Sequence, residues 1–318
     1  LRRQRQMCIR DRIKVMQSVY AISNGNQNSL PEEVKFIQKS LNGVFDLYII
    51  KLSFFKSLHE HAINQHQINR TQIRIKDSFS QKHQIIVDNK CLLYLSQHQR
   101  LAQFIAAKKT NHWELEFDYV KKIYALLLES EIFKEYSKLS EPSDDEQIRF
   151  VVSMFKNIIA PDDSLYHYFE DLNITWIDDL PLVNTYLLKQ LKRLNLETET
   201  SIDFPDFNKN KEDIAFGVEL FEKAIAKEDE LQKELEGKTP NWDSDRIANL
   251  DAILIKLAIV ELFYFPNIPP KVTLNEYLEI AKEYSTPKSN LFINGVLDSL
   301  VKEYEKTNRM NKQGRGLL

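Results

Sequence analysis

Glycine is scarce in this chain, and its scarcity limits the folds that the chain can adopt. Only 7 of the 318 residues are glycine, and none lies between Gly43 and Gly217. Because phosphate-cradling loops and tight hairpin turns depend on glycine, a P-loop or a dinucleotide fingerprint is excluded over that stretch. Long runs rich in Leu, Ile, Lys, Glu and Gln favour helix over sheet. The sequence therefore predicts an all-α fold.

The composition indicates a soluble globular protein. Hydrophobic residues make up 43% and charged residues 28%, with a net charge of −3. The longest apolar run, AILIKLAIVELFYF, contains Lys256 and Glu261 and is too short to span a bilayer. No signal peptide is visible. The two cysteines, Cys8 and Cys91, are too few for a disulfide framework or a zinc site and indicate free thiols in a reducing cytosol. We expect a cytoplasmic protein without a bound metal.

The first twelve residues, LRRQRQMCIRDR, are unusual. They contain five arginines and show no apolar periodicity before Ile13. They resemble translated sequencing-adapter read-through joined to a truncated gene start. We therefore predict that residues 1–11 are a non-native or disordered leader. Basic residues clustered at both termini of a near-neutral chain can mark a nucleic-acid footprint, although a solvated tail has the same composition.

Two polar segments divide the chain into candidate domains. SEPSDDEQ at 140–147 and ETETSIDFPDFNKNKED at 197–213 have the composition of linkers. The predicted segments are the leader at 1–11, an N-terminal helix at 12–28, a helical insertion at 29–146, a degenerate repeat with its linker at 147–212, a helical core at 213–310 and a flexible tail at 311–318.

The repeat is a weak similarity between two parts of the chain. Phe155 matches Phe221 and Trp176 matches Trp242, both at an offset of 66 residues without a gap. Each tryptophan precedes a predicted helix start, so we expect Trp242 to have a structural role beside that helix. Duplication and chance similarity between two amphipathic helix pairs are both compatible with this pattern.

Local signals predict several helix boundaries in the last hundred residues. The run at 250–258 is apolar on most sides, as is typical of the central helix of a bundle. TLNE at 273–276 has the sequence of a capping box. Thr286 and Pro287 provide a cap and a first turn for the last helix.

Gly295 lies inside that last helix, where glycine costs about 1 kcal/mol relative to alanine. We predict that Gly295 allows the helix to approach another backbone closely. Direct access for RNA is the alternative. Asn294 beside it could cap or bridge buried backbone at the same crossing.

A series of C-terminal motifs resembles the NusB family. NWDSDRI, DAILIKLAIVEL, IPPKVTLNE, AKEY and KSNLFINGVLD follow in order within about 60 residues. RIKVMQSVYA at 12–21 is similar to the opening helix of the family. The resemblance covers about residues 12–24 and 213–308, and the stretch between them is far longer than in a compact family member.

The resemblance implies an all-α, non-catalytic transcription antitermination factor. NusB-like factors bind the boxA sequence of ribosomal RNA leaders together with NusE, a small-subunit ribosomal protein, in a complex with RNA polymerase. No cofactor is implied. The RNA-binding residues implied by the resemblance are Arg12, Lys14, Gln17, Tyr20, Lys288, Ser289, Asn290 and Phe292. The surface for NusE would include Glu261, Tyr264 and Glu276.

Two alternatives to this function follow from the sequence. An rRNA cytosine methyltransferase also carries a NusB-like domain, but it needs an α/β cofactor domain after the helical one, and none follows here. The histidines of HEHAINQH at 59–66 are poorly spaced for a metal and are predicted to face solvent, so we expect no enzyme. The second alternative is a protein-only helical adaptor that binds NusE or RNA polymerase partners without sequence-specific RNA recognition.

Overall fold

A computed structural model describes residues 2–25, 28–71, 77–107, 112–196, 202–204, 211–236, 248–310 and 312. Every regular element within these ranges is helical, which confirms the all-α prediction. None of the helices in the described ranges combines the length and the apolar character needed to cross a membrane. The chain divides into two compact units. Unit 1 comprises Leu1–Asn42 and Asn208–Leu318, and unit 2 comprises Gly43–Phe207.

The α-helices of the described ranges are, in chain order, α1 (Arg2–Ser23), α2 (Leu30–Asn42), α3 (Val44–Thr71), α4 (Asp77–Val87), α5 (Lys90–Gln97), α6 (Gln99–Ala107), α7 (His112–Leu115), α8 (Phe117–Glu129), α9 (Glu131–Tyr136), α10 (Asp144–Met154), α11 (Asp163–Leu172), α12 (Leu180–Lys192), α13 (Lys211–Ala226), α14 (Glu228–Glu236), α15 (Asn249–Tyr264), α16 (Pro270–Tyr284) and α17 (Pro287–Lys306). A π-helical turn at Phe155–Ile159 extends α10, and a 3₁₀ turn at Ile174–Trp176 precedes α12.

Helix α15 is the centre of unit 1, as its apolar sequence predicted. It contacts α1, α13, α14, α16 and α17, and residues 253–262 are buried on every side. The two charged residues within 253–262 have ionic partners. Lys256 pairs with Glu228, and Glu261 pairs with Arg12. Because an unpaired charge in such a core would be costly, these ion pairs allow α15 to be surrounded by other helices.

The expected insertion boundary at residue 29 differs from the division seen in the structure. Helix α2 belongs to unit 1, where it contacts α1 and α13. Its apolar face buries Ile37 and Leu41 in the unit 1 core. A Cβ at Gly217 of α13 would lie 2.9 Å from Leu41 Cδ1, so the glycine allows this close packing. Unit 2 therefore starts at Gly43.

The expected disordered leader at 1–11 also differs from the structure, in which α1 begins at Arg2. Side chains are described from Ile9 onward, and Arg10 and Asp11 are buried. The Arg10 guanidinium pairs with Asp11 at 2.9 Å and donates to Leu41 O at 3.2 Å. Arg10 therefore links α1 to the end of α2, because a buried guanidinium needs acceptors for its N–H groups.

Unit 2 is organised around α3, which contacts α4, α5, α6, α7, α8 and α12. The buried Trp113 indole N–H donates to Ile50 O at 2.8 Å and so links α7 to α3. The Trp176 indole N–H donates to Gly43 O at 3.0 Å. Trp242, its predicted counterpart in the repeat, lies outside the described residues, so the repeat stays a prediction.

The prediction that the histidines of HEHAINQH face solvent is wrong for two of them. His59 and His61 are buried. The two ring nitrogens of His59 lie 3.1 Å from Ser96 Oγ and 3.0 Å from Val87 O. His61 makes edge contacts with two aromatic rings. Helix α3 is buried on several faces because helices surround it, so a single apolar stripe does not describe it.

Side-chain caps explain several helix starts. Ser143 and Glu146 form a complete capping box at α10. Thr286 accepts a hydrogen bond from Ser289 N, with Pro287 in the first turn of α17, which confirms the prediction. The predicted capping box at TLNE is wrong, because α16 already begins at Pro270. Thr273 is buried and donates instead to Glu261.

Candidate nucleic-acid interface

The geometry of the candidate site is set by α1 and α15, which run antiparallel. At one end of the pair, Arg12 of α1 binds Glu261 of α15. At the other end, the Asn249 side-chain amide donates to Ser23 Oγ at 2.9 Å. Each helix rises about 1.5 Å per residue, so these two ends are separated by about 16 Å. The sequence-predicted site residues are divided between the two ends.

The Arg12 end is buried. The Arg12 guanidinium donates to both oxygens of Glu261, with Nε–Oε2 at 2.8 Å and Nη2–Oε1 at 2.7 Å. Thr273 Oγ1 donates to Glu261 Oε1 at 2.7 Å. The guanidinium carbon lies 5.0 Å from the centre of the Phe216 ring. Burial and the Glu261 carboxylate hold the pKa of Tyr277 well above its usual value. This end is a stabilising network inside the bundle.

The C-terminus of α15 is closed at the same end by Lys312. Its ammonium donates to Glu261 O at 3.0 Å and to Phe265 O at 2.9 Å. These are carbonyls near a helix C-terminus, where a cation is favourable. Burial lowers the pKa of Lys312 to about 8. The last turn of α15 is therefore partly covered by the chain itself.

This burial contradicts the surface roles that family resemblance implied for four of the site residues. Arg12 and Lys14 were expected to neutralise phosphates, but each is only 2% exposed. Glu261 and Glu276 were expected to face a protein partner, but they are 0% and 3% exposed. A bidentate pair is stable in the interior because each charge satisfies the other. Tyr264 is half-buried, with Lys223 Nζ 4.6 Å from its ring centre.

The opposite end of the pair presents polar side chains to solvent. We call this surface the polar end and define it by residues 17–24, 249 and 285–292. Tyr20 is 42% exposed, and Gln17, one turn earlier, is half-buried. Ser285 Oγ donates to Asp251 Oδ1 at 2.6 Å. Because Asp251 and Asn249 share the first turn of α15, the start of α17 lies at the same end as Ser23.

The start of α17 contributes the second half of the polar end. Lys288 is exposed, and Ser289, Asn290 and Phe292 are half-buried. Asn290 Nδ2 donates to Leu278 O at 2.9 Å, which fixes its amide against α16. Phe292 packs against the unit 1 core. The structure thus brings Tyr20 and Lys288 to one end of unit 1, and Arg12 lies about 12 Å from Tyr20 along α1. Because Arg12 is buried, the expected path from Arg12 to Lys288 lacks its contact at Arg12.

Two members of the polar end were not predicted from the sequence. Ser23 and Asn249 are exposed and hydrogen-bonded to each other across 226 residues of chain. The sequence does contain a local signal for the end of α1 at Ser23. Gly25 follows two residues later, and as a glycine it can adopt the positive φ of +93° found after the helix end. No local signal pairs Ser23 with Asn249.

Gly295 does not have the predicted packing role. It is exposed, and a Cβ added to it would meet no atom within 4 Å. The prediction that another backbone approaches Gly295 closely is therefore wrong within the described residues. Asn294 is half-buried. The structural role expected of Trp242 stays a prediction, because that residue lies outside the described ranges.

Comparisons with known proteins match a stretch that includes the C-terminal part of unit 1. The NusB family model matches residues 182–302, a range that runs from α12 through most of α17. A transcription antitermination protein NusB from Dictyoglomus thermophilum is 32% identical over 126 residues, which cover 40% of this chain and 86% of that protein. The chain belongs to the NusB family.

Two further NusB family relatives are more similar over shorter stretches. The transcription antitermination protein NusB of Salinibacter ruber is 41% identical over 103 residues, covering 32% of this chain and 64% of the relative. That of Chloroherpeton thalassium is 46% identical over 78 residues, covering 24% of this chain and 37% of the relative. The chain thus spans under two thirds of the length of these two relatives. No solved structure matches the chain.

Proposed function

We propose that this NusB family chain is a non-catalytic transcription antitermination factor. In this proposal it binds boxA-type single-stranded RNA of ribosomal RNA leaders together with NusE, within an RNA polymerase complex in the cytoplasm. Unit 1 carries the function, and unit 2 is an insertion between α2 and α13. Three relatives named as transcription antitermination proteins support the general role.

The single observation that supports RNA binding is that Tyr20 and Lys288 lie at the same end of unit 1. An exposed aromatic ring can stack on an unpaired base, and a nearby cation can neutralise a phosphate. Ser289 and Asn290 add a hydroxyl and an amide beside Lys288. This combination of residue types is suited to single-stranded RNA.

A titration with boxA-like RNA, with and without NusE, tests the proposal. Tyr20→Ala should weaken binding by about 1–3 kcal/mol, which is the range for one stacked base. Lys288→Gln should weaken binding and reduce the slope of log K against log salt by about 1. Lys306→Gln is the matched control, because this exposed lysine lies on the same helix about 27 Å from Lys288.

The protein-only adaptor is the second candidate, and the burial of Arg12 and Lys14 favours it, because two expected phosphate contacts are unavailable. Two results together would support the adaptor. RNA would leave NusE binding unaffected, and neither Tyr20→Ala nor Lys288→Gln would change the RNA affinity. They would also refute RNA recognition at the polar end.

A further inference from the structure

Unit 2 contains a cavity of about 680 Å³ between α3, α4 and α8. This volume is within the range of small-molecule sites. The described lining of the cavity lies within unit 2, outside the polar end and outside the stretch matched by the NusB family model. Nothing in the proposed antitermination function uses it.

The wall of the cavity is a cluster of rings held in fixed orientation. His83 Nδ1 lies 2.7 Å from Tyr124 Oη, and the two rings are nearly parallel at 13° with centres 5.7 Å apart. His61 meets the Tyr124 ring edge-on at 4.8 Å and the Phe117 ring edge-on at 5.2 Å. His61, His83 and Tyr124 are buried, with at most 7% of each exposed. Among the described aromatic lining residues, the half-buried Phe117 ring is therefore the surface that a planar ligand can reach.

The two histidines of this wall are 7% and 4% exposed. Burial lowers the pKa of His61, and the neighbouring His83 and Lys121 lower it further. Burial likewise lowers the pKa of His83, with contributions from His66 and Lys82. Both shifts favour the neutral form of the imidazole. His83 Nδ1 is already engaged by Tyr124 Oη, so these imidazoles shape the wall of the cavity.

The rim of the cavity is polar and carries a positive charge. Four amide side chains line it from the last turns of α3, at positions 64, 65, 67 and 69, and Lys121 lines it from α8. None of the described lining residues is a carboxylate. Asp118 pairs with Lys121 at 2.9 Å but is 94% exposed, and such surface pairs are weak enough to rearrange. Amides can pair with the edges of a nucleobase, and a lysine can neutralise a phosphate.

We propose that this cavity binds a nucleotide. The base lies against the ring of Phe117, the amides of Asn64 and Gln65 read its edge, and Lys121 contacts the phosphate. The same chemistry can come from a free mononucleotide or from an unstacked nucleotide of single-stranded RNA. Both sources satisfy the proposal, and the experiment distinguishes them.

The test uses the full chain, with adenosine monophosphate and a fluorescein-labelled hexaadenylate RNA as probes. Binding is measured by calorimetry and by fluorescence anisotropy. Ala125→Trp places a large ring in the cavity from an exposed lining position, and it should abolish binding while keeping the circular dichroism spectrum. Lys121→Gln should weaken binding about tenfold, the value of one charge-assisted hydrogen bond.

Lys134→Gln is the matched control for Lys121→Gln. Both lysines have side chains that are 55% exposed, and each pairs with a carboxylate three residues earlier. Only Lys121 lines the cavity. The proposal requires that Lys134→Gln binds as the unmodified chain does.

The outcomes separate the sources of the ligand. RNA that binds at least tenfold more tightly than the mononucleotide identifies an RNA nucleotide as the ligand, and equal affinities identify a free nucleotide. The proposal is overturned if neither probe binds at millimolar concentration, or if ribose 5-phosphate competes as well as the mononucleotide. Binding that survives Ala125→Trp also overturns it. If a free nucleotide is the ligand, the boxA titration of Lys121→Gln should be unchanged, which separates this site from the polar end.

Discussion

Arg12→Met gives the most direct test of the structural role assigned to the buried ion pair. The substitution keeps an unbranched side chain of comparable reach but removes the charge and the donors that satisfy Glu261. The Glu261 side chain has no exposed surface, and it retains Thr273 and a longer 3.4 Å contact from the Tyr277 hydroxyl. An uncompensated carboxylate is therefore left in the core of unit 1.

The expected cost is about 3–5 kcal/mol, because breaking one side of a buried pair leaves the other charge desolvated. The double substitution Arg12→Met with Glu261→Leu should recover most of this loss, since two apolar residues of similar volume are tolerated in such positions. Recovery should fall short by about 1 kcal/mol because Thr273 then lacks its acceptor. The pair should thus show strong coupling in a double-mutant cycle.

Hydrogen exchange of peptides from α15 is the suitable assay, because it reports the opening of unit 1 separately from unit 2. Arg309→Met is the control. The Arg309 guanidinium also pairs with a glutamate, Glu234, but its side chain is 42% exposed, so the cost should be about 1 kcal/mol or less.

The reasoning is refuted if Arg12→Met costs no more than Arg309→Met in exchange protection and instead lowers boxA affinity. That result would make Arg12 a surface contact. Because Arg12 is buried, Arg12→Met should leave the boxA affinity per folded molecule unchanged.

Three further predictions concern individual positions. Gly295→Ala should stabilise unit 1 by about 0.5–1 kcal/mol in urea unfolding, because the helical site is open; a loss of stability would indicate a hidden close contact. Ser143→Ala should destabilise unit 2 by about 1 kcal/mol through loss of the capping box at α10. Lys51 is 3% exposed, and burial lowers its pKa to about 7. Between pH 7 and 10 the unfolded chain therefore binds more protons at this site, and it contributes a rise in stability with pH of up to about 1.4 kcal/mol per unit. Lys51→Met should remove that contribution and stabilise unit 2 at pH 7, as measured by exchange of α3 peptides; an unchanged pH slope would show that Lys51 does not titrate there.

Much of the fold could be predicted from local sequence. The absence of glycine between Gly43 and Gly217 and the helical periodicity predicted an all-α protein. The apolar run at 250–258 identified the central helix. Thr286 and Pro287 marked the start of α17. These features are local, because a cap or an apolar stripe depends on residues within one or two turns.

The candidate site was predicted only in part. The C-terminal motifs led to Lys288 and its neighbours, which are at the polar end together with Tyr20. Resemblance gave the same weight to Arg12, which is buried against a residue 249 positions away. A charged residue on an amphipathic helix usually faces solvent, so sequence alone favoured a surface role.

The sequence by itself determined that the chain is helical, where the central and last helices of unit 1 lie, and the family to which the chain belongs. Only the tertiary structure decided which charges are inside. Arg12 and Glu261 are stable in the core because their side chains meet in a bidentate pair, and Thr273 donates to that pair where TLNE had suggested a cap. Such partners are brought together by the packing of α1, α15 and α16. Whether a charge is buried depends on the groups that surround it in space, and periodicity along one helix does not contain that information.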